Sequence, residues 1–254
     1  MPHNRPSSSM QIRVFADERA VADALAVMVA TAVRDSHHPV LGLPTGRTPV
    51  LLYKELVKRA HADALDLSHV TTFNLDEFLG LPATHPGSYR HFMEHHLFAH
   101  LGSHRPHAHL LDGTAADPDT ECERYEAAIA EAGGIDLQIL GLGTNGHIGF
   151  NEPAPELRAR THRVILRPET RRSNAGLFGG DPEAVPREAL SMGMATILHA
   201  RRIVLIATGD SKARCVRQMI EGPLTTMLPA SFLQLHSGLE VMLDEAAARE
   251  LNGN

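Results

Sequence analysis

The stretch Gly141 to Pro153, GLGTNGHIGFNEP, sets four glycines around His147 and puts Glu152 five residues further on. Glycines let a backbone turn tightly and approach a ligand closely. Histidine carries a proton near neutrality, with a reference pKa of about 6.5, and a carboxylate such as Glu152 can orient its ring and raise that value. The string Gly141, Gly143, Gly146 matches GxGxxG only weakly as a dinucleotide loop, because no long helical pattern follows it before Pro153 and Pro155. A lone histidine here would more simply bond a loop carbonyl. The functional reading depends on what stands beside it.

Three other stretches carry chemistry. In FNLDEF, Asp76 and Glu77 lie at the end of a strand pattern. Successive side chains of a strand point to opposite faces, so only one of the two can face a substrate as acid or base. The bland alternative is a capping or loop acid. In LPTGRTP, Thr45, Gly46 and Thr48 form a strand–turn–helix junction with Pro49 at the first helical position. Free N–H groups at a helix start suit a phosphate, although the turn reads equally well as capping chemistry and lacks Walker spacing. TGDSKA repeats that layout and adds Lys212 in the first helical turn. A lysine there opposes the helix dipole, and a bound anion removes the conflict. Arg171 and Arg172 are ordinary surface residues unless a phosphate is bound, when one can reach it bidentately. The histidines from His91 to His109 include HxxxH spacing, but HExxH is absent and no third carboxylate or thiolate accompanies it. They read as a solvated helix face, and no metal is expected.

The elements that must position these residues alternate along the chain. Strand patterns fall at Ile12–Phe15, Val40–Leu43, Val70–Asn74, Leu137–Leu142, Arg163–Leu166, Arg202–Thr208 and Glu240–Leu243, with amphipathic helical patterns between them. Asp17 caps the first helix, over residues 17–34, and further helices run over 49–60 and 211–221. Short apolar strands separated by helices imply an α/β fold, a single Rossmann-like, open, mostly parallel sheet with helices on both faces. In such sheets ligands bind beyond the carboxyl ends of the strands. The candidate turns follow the second, third, fourth and sixth strand patterns and so converge there. Residues 153–160 read as an exposed loop.

Composition narrows the class. The 254 residues are 43 % apolar with a net charge of −6, which argues against a nucleic-acid or membrane surface. Cys122 and Cys215 lie far apart in helical patterns and suggest a reducing cytoplasm. Residues 1–10 read as a disordered tail without an apolar leader core, ahead of one domain over 11–254.

Taken together, LPTGRTP, TTFNLDEFLGL, HPGSYRHFM, GLGTNGHIGFNEP, ETRRSNA and TGDSKA closely resemble the glucosamine-6-phosphate deaminase (isomerase) family, in family order over residues 11–245. The resemblance implies a cytoplasmic enzyme that turns glucosamine 6-phosphate and water into fructose 6-phosphate and ammonia, in amino-sugar catabolism, without metal or coenzyme. It implies that Asp76 moves a proton between C2 and C1, and that His147 protonates the ring oxygen with Glu152 and Asn145 completing the relay. It implies that Thr45, Gly46, Thr48, Arg171 and Lys212 hold the phosphate under a lid over 153–180. Where many members carry Asp, this chain has Asn145, which can orient a neighbour but cannot take a proton. The partner implied is a small sugar phosphate, and oligomeric state is left open. A 6-phosphogluconolactonase is the nearest rival, but Phe78 stands where those enzymes carry Arg, and Glu152 is a deaminase feature. A non-enzymatic sugar-phosphate sensor would need a DNA-binding module, for which about ten leading residues leave no room. Galactosamine 6-phosphate is the closest alternative substrate. Allosterically activated members use a Ser and basic residues where Pro155, His162 and Val164 stand here, and a longer C-terminus. The expected rate curve is therefore hyperbolic and indifferent to N-acetylglucosamine 6-phosphate, and a sigmoidal curve straightened by that compound would contradict this.

Overall fold

A computed structural model describes residues 10–62 and 65–252. The tail expected at the N-terminus lies outside the described residues, Met10 excepted. The chain runs β1 (Gln11–Phe15), α1 (Glu18–Arg34), β2 (Val40–Leu43), α2 (Val50–Ala62), β3 (Thr71–Asn74), β4 (Asp76–Phe78), α3 (Tyr89–His96) and β5 (His107–His109). It continues through α4 (Pro118–Glu131), β6 (Leu137–Gly141), β7 (His162–Ile165), α5 (Pro168–Asn174), β8 (Glu188–Ser191) and α6 (Met194–Leu198). It ends with β9 (Arg202–Ala207), α7 (Ala213–Glu221), β10 (Leu239–Asp244) and α8 (Glu245–Ala248). Asp17 caps α1 by accepting from the Ala20 amide at 2.8 Å.

Seven strands form one open sheet in the order β1-β10-β9-β6-β2-β3-β5, with every pairing parallel. Its central strands are apolar on both sides because both sides are covered. Val204 and Ile206 of β9 pack with Leu25, Tyr53 and Met93 from α1, α2 and α3. Ile203 and Leu205, pointing the other way, pack with Tyr125 of α4 and Val216 of α7. From β2 the chain steps outward to β3 and β5, whereas from β6 it steps the opposite way to β9 and β10. The sheet order therefore reverses between β2 and β6, and in open sheets of this kind the ligand crevice lies beyond the carboxyl ends at that reversal.

A second, antiparallel sheet, β4-β8-β7, stands at that edge. Only Leu75 separates β4 from β3, and the Leu75 carbonyl accepts from the Met192 amide at 2.8 Å just after β8. A separate apolar cluster that includes Phe78, Tyr89, Phe150, Leu166 and Val185 fills the space under this sheet. Two expectations need correction here. Residues 76–78 form strand β4 rather than a turn, and the pattern at 163–166 belongs to β7 of the small sheet rather than to the parallel one. Periodicity marks a strand but not its sheet. Strands β5 and β8 escape a sequence reading because HAH and EALS hold no apolar run.

The loop between β6 and β7 is pinned at its far end. The Met194 and Ala195 amides at the start of α6 donate to the Arg158 and Ala159 carbonyls at 2.9 and 2.8 Å. A Cβ at Gly193 would sit 2.3 Å from the Arg160 carbonyl oxygen and 2.5 Å from that of Ala159, both backbone atoms. Gly193→Ala is expected to lower unfolding free energy by about 1–3 kcal/mol in denaturant titration. An unchanged midpoint would mean that the loop crosses less tightly than this.

Candidate active site

The crevice at the strand reversal is built from side chains that hold the strand ends. Beyond β2 the chain leaves the sheet, so its last carbonyls need other partners. Asn74 Nδ2 donates to the Leu43 carbonyl at 3.1 Å, and the buried Tyr53 hydroxyl donates to the Pro44 carbonyl. Gly46 then turns the chain at φ +99° into α2, leaving Thr45 and Thr48 half-buried and Arg47 exposed. On the other side, Asp244 at the end of β10 accepts from the Gly209 amide with both oxygens, at 3.0 and 2.9 Å, and caps α8 through Ala247. That fixes the turn leading to Lys212. Lys212 Nζ donates to the Leu142 carbonyl at 2.7 Å, which ties the turn after β9 to the turn after β6. Burial, together with the nearby Arg47 charge, lowers its pKa.

Asp76 and Glu77 part company as strand alternation requires. Glu77 is buried and accepts from the Phe78, Tyr89 and Arg90 amides and the Ser88 hydroxyl, each at 2.9 Å. It is a structural clamp on the start of α3. Asp76 is 6 % exposed, and its Oδ1 is buried without a hydrogen-bond partner. Burial first, and Glu77 second, push its carboxyl up to about 8.

In the loop after β6, a Cβ at Gly143 would strike the His147 ring at 2.3 Å, so the ring folds onto the turn only because that residue is glycine. At Gly149, with φ +57°, a Cβ would begin 3.0 Å from Ser191 Oγ and 3.7 Å from Asp76 Oδ2, which brings the loop against the carboxylate. His147 Nδ1 lies 2.6 Å from Asn145 Oδ1, and that same oxygen accepts from the His147 amide at 3.2 Å. An amide oxygen only accepts, so Nδ1 carries the proton and Nε2 is left with its lone pair. Burial, then the Lys212 charge, push the imidazole down to about 4. The expectation that Glu152 orients this ring and raises its pKa is thus corrected: Asn145 holds the ring, and no positive shift results. Glu152 is buried elsewhere, accepting from the Arg167 amide at 3.2 Å with Arg167 Nε 3.7 Å from its other oxygen. Burial raises its pKa against the pull of the Thr170 hydroxyl and Arg167.

Arg171 in α5 is 9 % exposed and turned toward the segment before β8. Nε donates to the Val185 carbonyl at 3.1 Å, and the Nη atoms meet Glu183. The structure therefore joins Asn145, His147 and Lys212 on one side of the crevice and sets Asp76 against Gly149. It leaves Glu152 and Arg171 engaged with their own neighbours. Sequence reasoning did not single out Tyr89. Its hydroxyl meets that of Thr45 and donates to Asn174 Oδ1 at 3.2 Å, linking the turn after β2 to α5. Its signal was Ser88, whose hydroxyl caps α3. Of the histidine-rich stretch, His91, His95 and His96 lie on α3, with His91 and His95 stacked at 6.3 Å, whereas His107 and His109 fall in strand β5, so the helix-face reading holds only for the first part. Among the described residues, no group of three or more metal-ligating side chains is arranged to hold an ion.

Residues 16–242 match the family described as "Glucosamine-6-phosphate isomerases/6-phosphogluconolactonase". The chain is 46 % identical to glucosamine-6-phosphate deaminase 2 of Bacillus subtilis, over 95 % of this chain and 98 % of that one. It is 48 % identical to the glucosamine-6-phosphate deaminase of Rhodopirellula baltica, over 96 % of each. Its fold superposes on a solved monomeric glucosamine-6-phosphate deaminase with a TM-score of 0.89 at 37 % identity, over 95 % of this chain and 100 % of that one. A 6-phosphogluconolactonase from Trypanosoma cruzi shares the fold, with a TM-score of 0.75 at 20 % identity over 98 % of this chain and all of that one.

The raised pKa of Asp76 has a sign that can be tested. The folded chain keeps the proton up to about pH 8, whereas the unfolded chain loses it near 3.8, so this group's contribution to stability falls as pH rises across that window. Asp76→Asn should therefore gain in melting temperature over the parent as pH rises from 5 to 9. A gap that does not change with pH would remove the buried charge as its cause.

Proposed function

The chain belongs to the family of glucosamine-6-phosphate isomerases and 6-phosphogluconolactonases, and from that premise we propose that it converts glucosamine 6-phosphate and water to fructose 6-phosphate and ammonia. The observation that carries this reading is Asp76, a buried carboxylate with an unpartnered oxygen and a pKa raised to about 8, facing the glycine loop that presents His147. A base poised near the working pH is what proton abstraction beside a carbonyl needs. Hydrolysis of a lactone needs no base at C2.

With a pKa near 4, His147 is an uncharged imidazole at neutral pH and must first take the proton that it later gives. Nε2 accepts the proton of the anomeric hydroxyl, the C1–ring oxygen bond breaks as the C1 carbonyl forms, and the proton passes to the ring oxygen. Asn145 keeps the ring aimed, and Glu152, held at Arg167, takes no proton in this scheme. Asp76 then removes the proton from C2, O1 of the resulting enolate takes a proton from the C2 amino group, and Asp76 returns its own proton to C1, leaving a C1 hydroxyl and an imine at C2. Water adds to that imine and ammonia departs. Thr45, Gly46, Thr48, Lys212 and Arg171 bind the phosphate, and binding this remote group orients the reacting end. We assign the reaction to the cytoplasm, in N-acetylglucosamine degradation. Support comes from Cys122 and Cys215, both free and buried, their thiols pushed up to about 11 by burial first. No step in this scheme calls for a metal or coenzyme.

Ammonia release from glucosamine 6-phosphate, galactosamine 6-phosphate and a gluconolactone control is the direct test. Release from an amino sugar phosphate is expected, and lactone hydrolysis alone would overturn the assignment. Asp76→Asn should lose at least about a hundredfold in kcat, the usual scale of general-base catalysis, while still binding fructose 6-phosphate. The parent's acidic limb in kcat/KM should lie well above the ordinary carboxylate range. A limb below about pH 5 would remove Asp76 as a perturbed base.

A further inference from the structure

We propose that Glu183 sets the affinity for the sugar phosphate by competing for the Arg171 guanidinium. This rests on the assignment of Arg171 to the phosphate given above. Two kinds of contact hold Arg171. Its Nε and Nη2 donate to the Val185 and Glu183 carbonyls at 3.1 and 3.2 Å, which are backbone contacts independent of the side chain at 183. Its Nη1 and Nη2 also face the Glu183 carboxylate at 3.5 and 3.3 Å. Those two distances exceed the 2.7–2.9 Å usual for charge-assisted pairs, and the Glu183 side chain is 74 % exposed. The carboxylate is a weak, displaceable partner on a well-held guanidinium.

The position of α5 gives the competition its meaning. Asn174 stands three residues beyond Arg171, less than one helical turn of about 5.4 Å. It accepts from the Tyr89 hydroxyl, which in turn meets the hydroxyl of Thr45 in the turn after β2. The helix that carries Arg171 is thus docked to that turn through side-chain contacts. Arg47 and Lys212, the cations nearest the crevice, make no ion pair among the described residues. Arg171 alone of the three is neutralised by a carboxylate, whose two oxygens face the same Nη atoms that a phosphate would engage. With no substrate bound, Glu183 supplies the counter-charge to a nearly buried guanidinium whose other partners are two neutral carbonyls. A phosphate must replace it, and the displacement weakens net binding.

A positioning role for Glu183 predicts looser binding when it is removed, whereas competition predicts the opposite. Glu183→Gln and Glu183→Ala should lower both the KM for glucosamine 6-phosphate and the inhibition constant of inorganic phosphate about two- to fivefold, with kcat unchanged, the scale of an exposed ion pair. Arg171→Ala alone should raise both constants at least about tenfold, the scale of a charged hydrogen bond. In that background, changing Glu183 should have no effect. If the Glu183 variants leave KM unchanged or raise it while Arg171→Ala weakens phosphate, the competition is overturned and the phosphate assignment stands. If Arg171→Ala leaves phosphate inhibition untouched, the assignment fails and the competition with it.

Discussion

The Glu77 carboxylate and its four donors hold the carboxyl edge of the sheet together. Three amides and a hydroxyl converge on it from Phe78, Ser88, Tyr89 and Arg90, so one side chain fastens β4 to the start of α3. Burial still raises its pKa against those bonds, which marks how dry the junction is. Because Glu77 turns into the protein to make these bonds, strand alternation turns Asp76 the other way, toward the crevice. Because Tyr89 is fixed by the same clamp, its hydroxyl arrives between Thr45 and Asn174. A partner lost here would strand several buried donors at once, each costing about 1–3 kcal/mol.

The electrostatics of the crevice follow from that geometry. Asp76 is a carboxylate reluctant to ionise, since it is desolvated and adjacent to Glu77. His147 is an imidazole reluctant to charge, since it is desolvated and faces Lys212. The two shifts run in opposite directions, and each favours the uncharged form in a water-poor site. Asn145 fits this arrangement. An aspartate in its place would favour the imidazolium, whereas the amide orients the ring and leaves it neutral. In the proposed scheme, proton transfer through His147 is then a relay within the sugar rather than delivery of a stored proton.

Much of the frame was legible in the chain. Val40–Leu43, Arg202–Thr208 and Glu240–Leu243 read as strands because parallel strands are apolar on both faces, and β2, β9 and β10 stand there within a residue or so. The glycines of the loop after β6 and the lysine of TGDSKA read as turn residues at strand ends, and the fold places them there. Less was legible where partners come from far away. That Glu77 is the clamp and Asp76 the free acid depends on Ser88 and Tyr89, more than ten residues on. That β7 pairs with β8 rather than joining the main sheet is a matter of pairing, which periodicity does not encode.

The sequence by itself determined the class of fold, three of the four turns expected at the strand ends, and the identities of the groups that titrate there. These depend on local pattern: apolar periodicity, glycine at turns, and residue type. Tertiary structure alone decided the state of each group. It gave His147 an amide partner rather than a carboxylate, left Asp76 without one, and sent Glu152 to Arg167 and Arg171 to Glu183. The physical reason is that desolvation and charge pairing depend on which surfaces meet in space, and residues distant in sequence supply those surfaces.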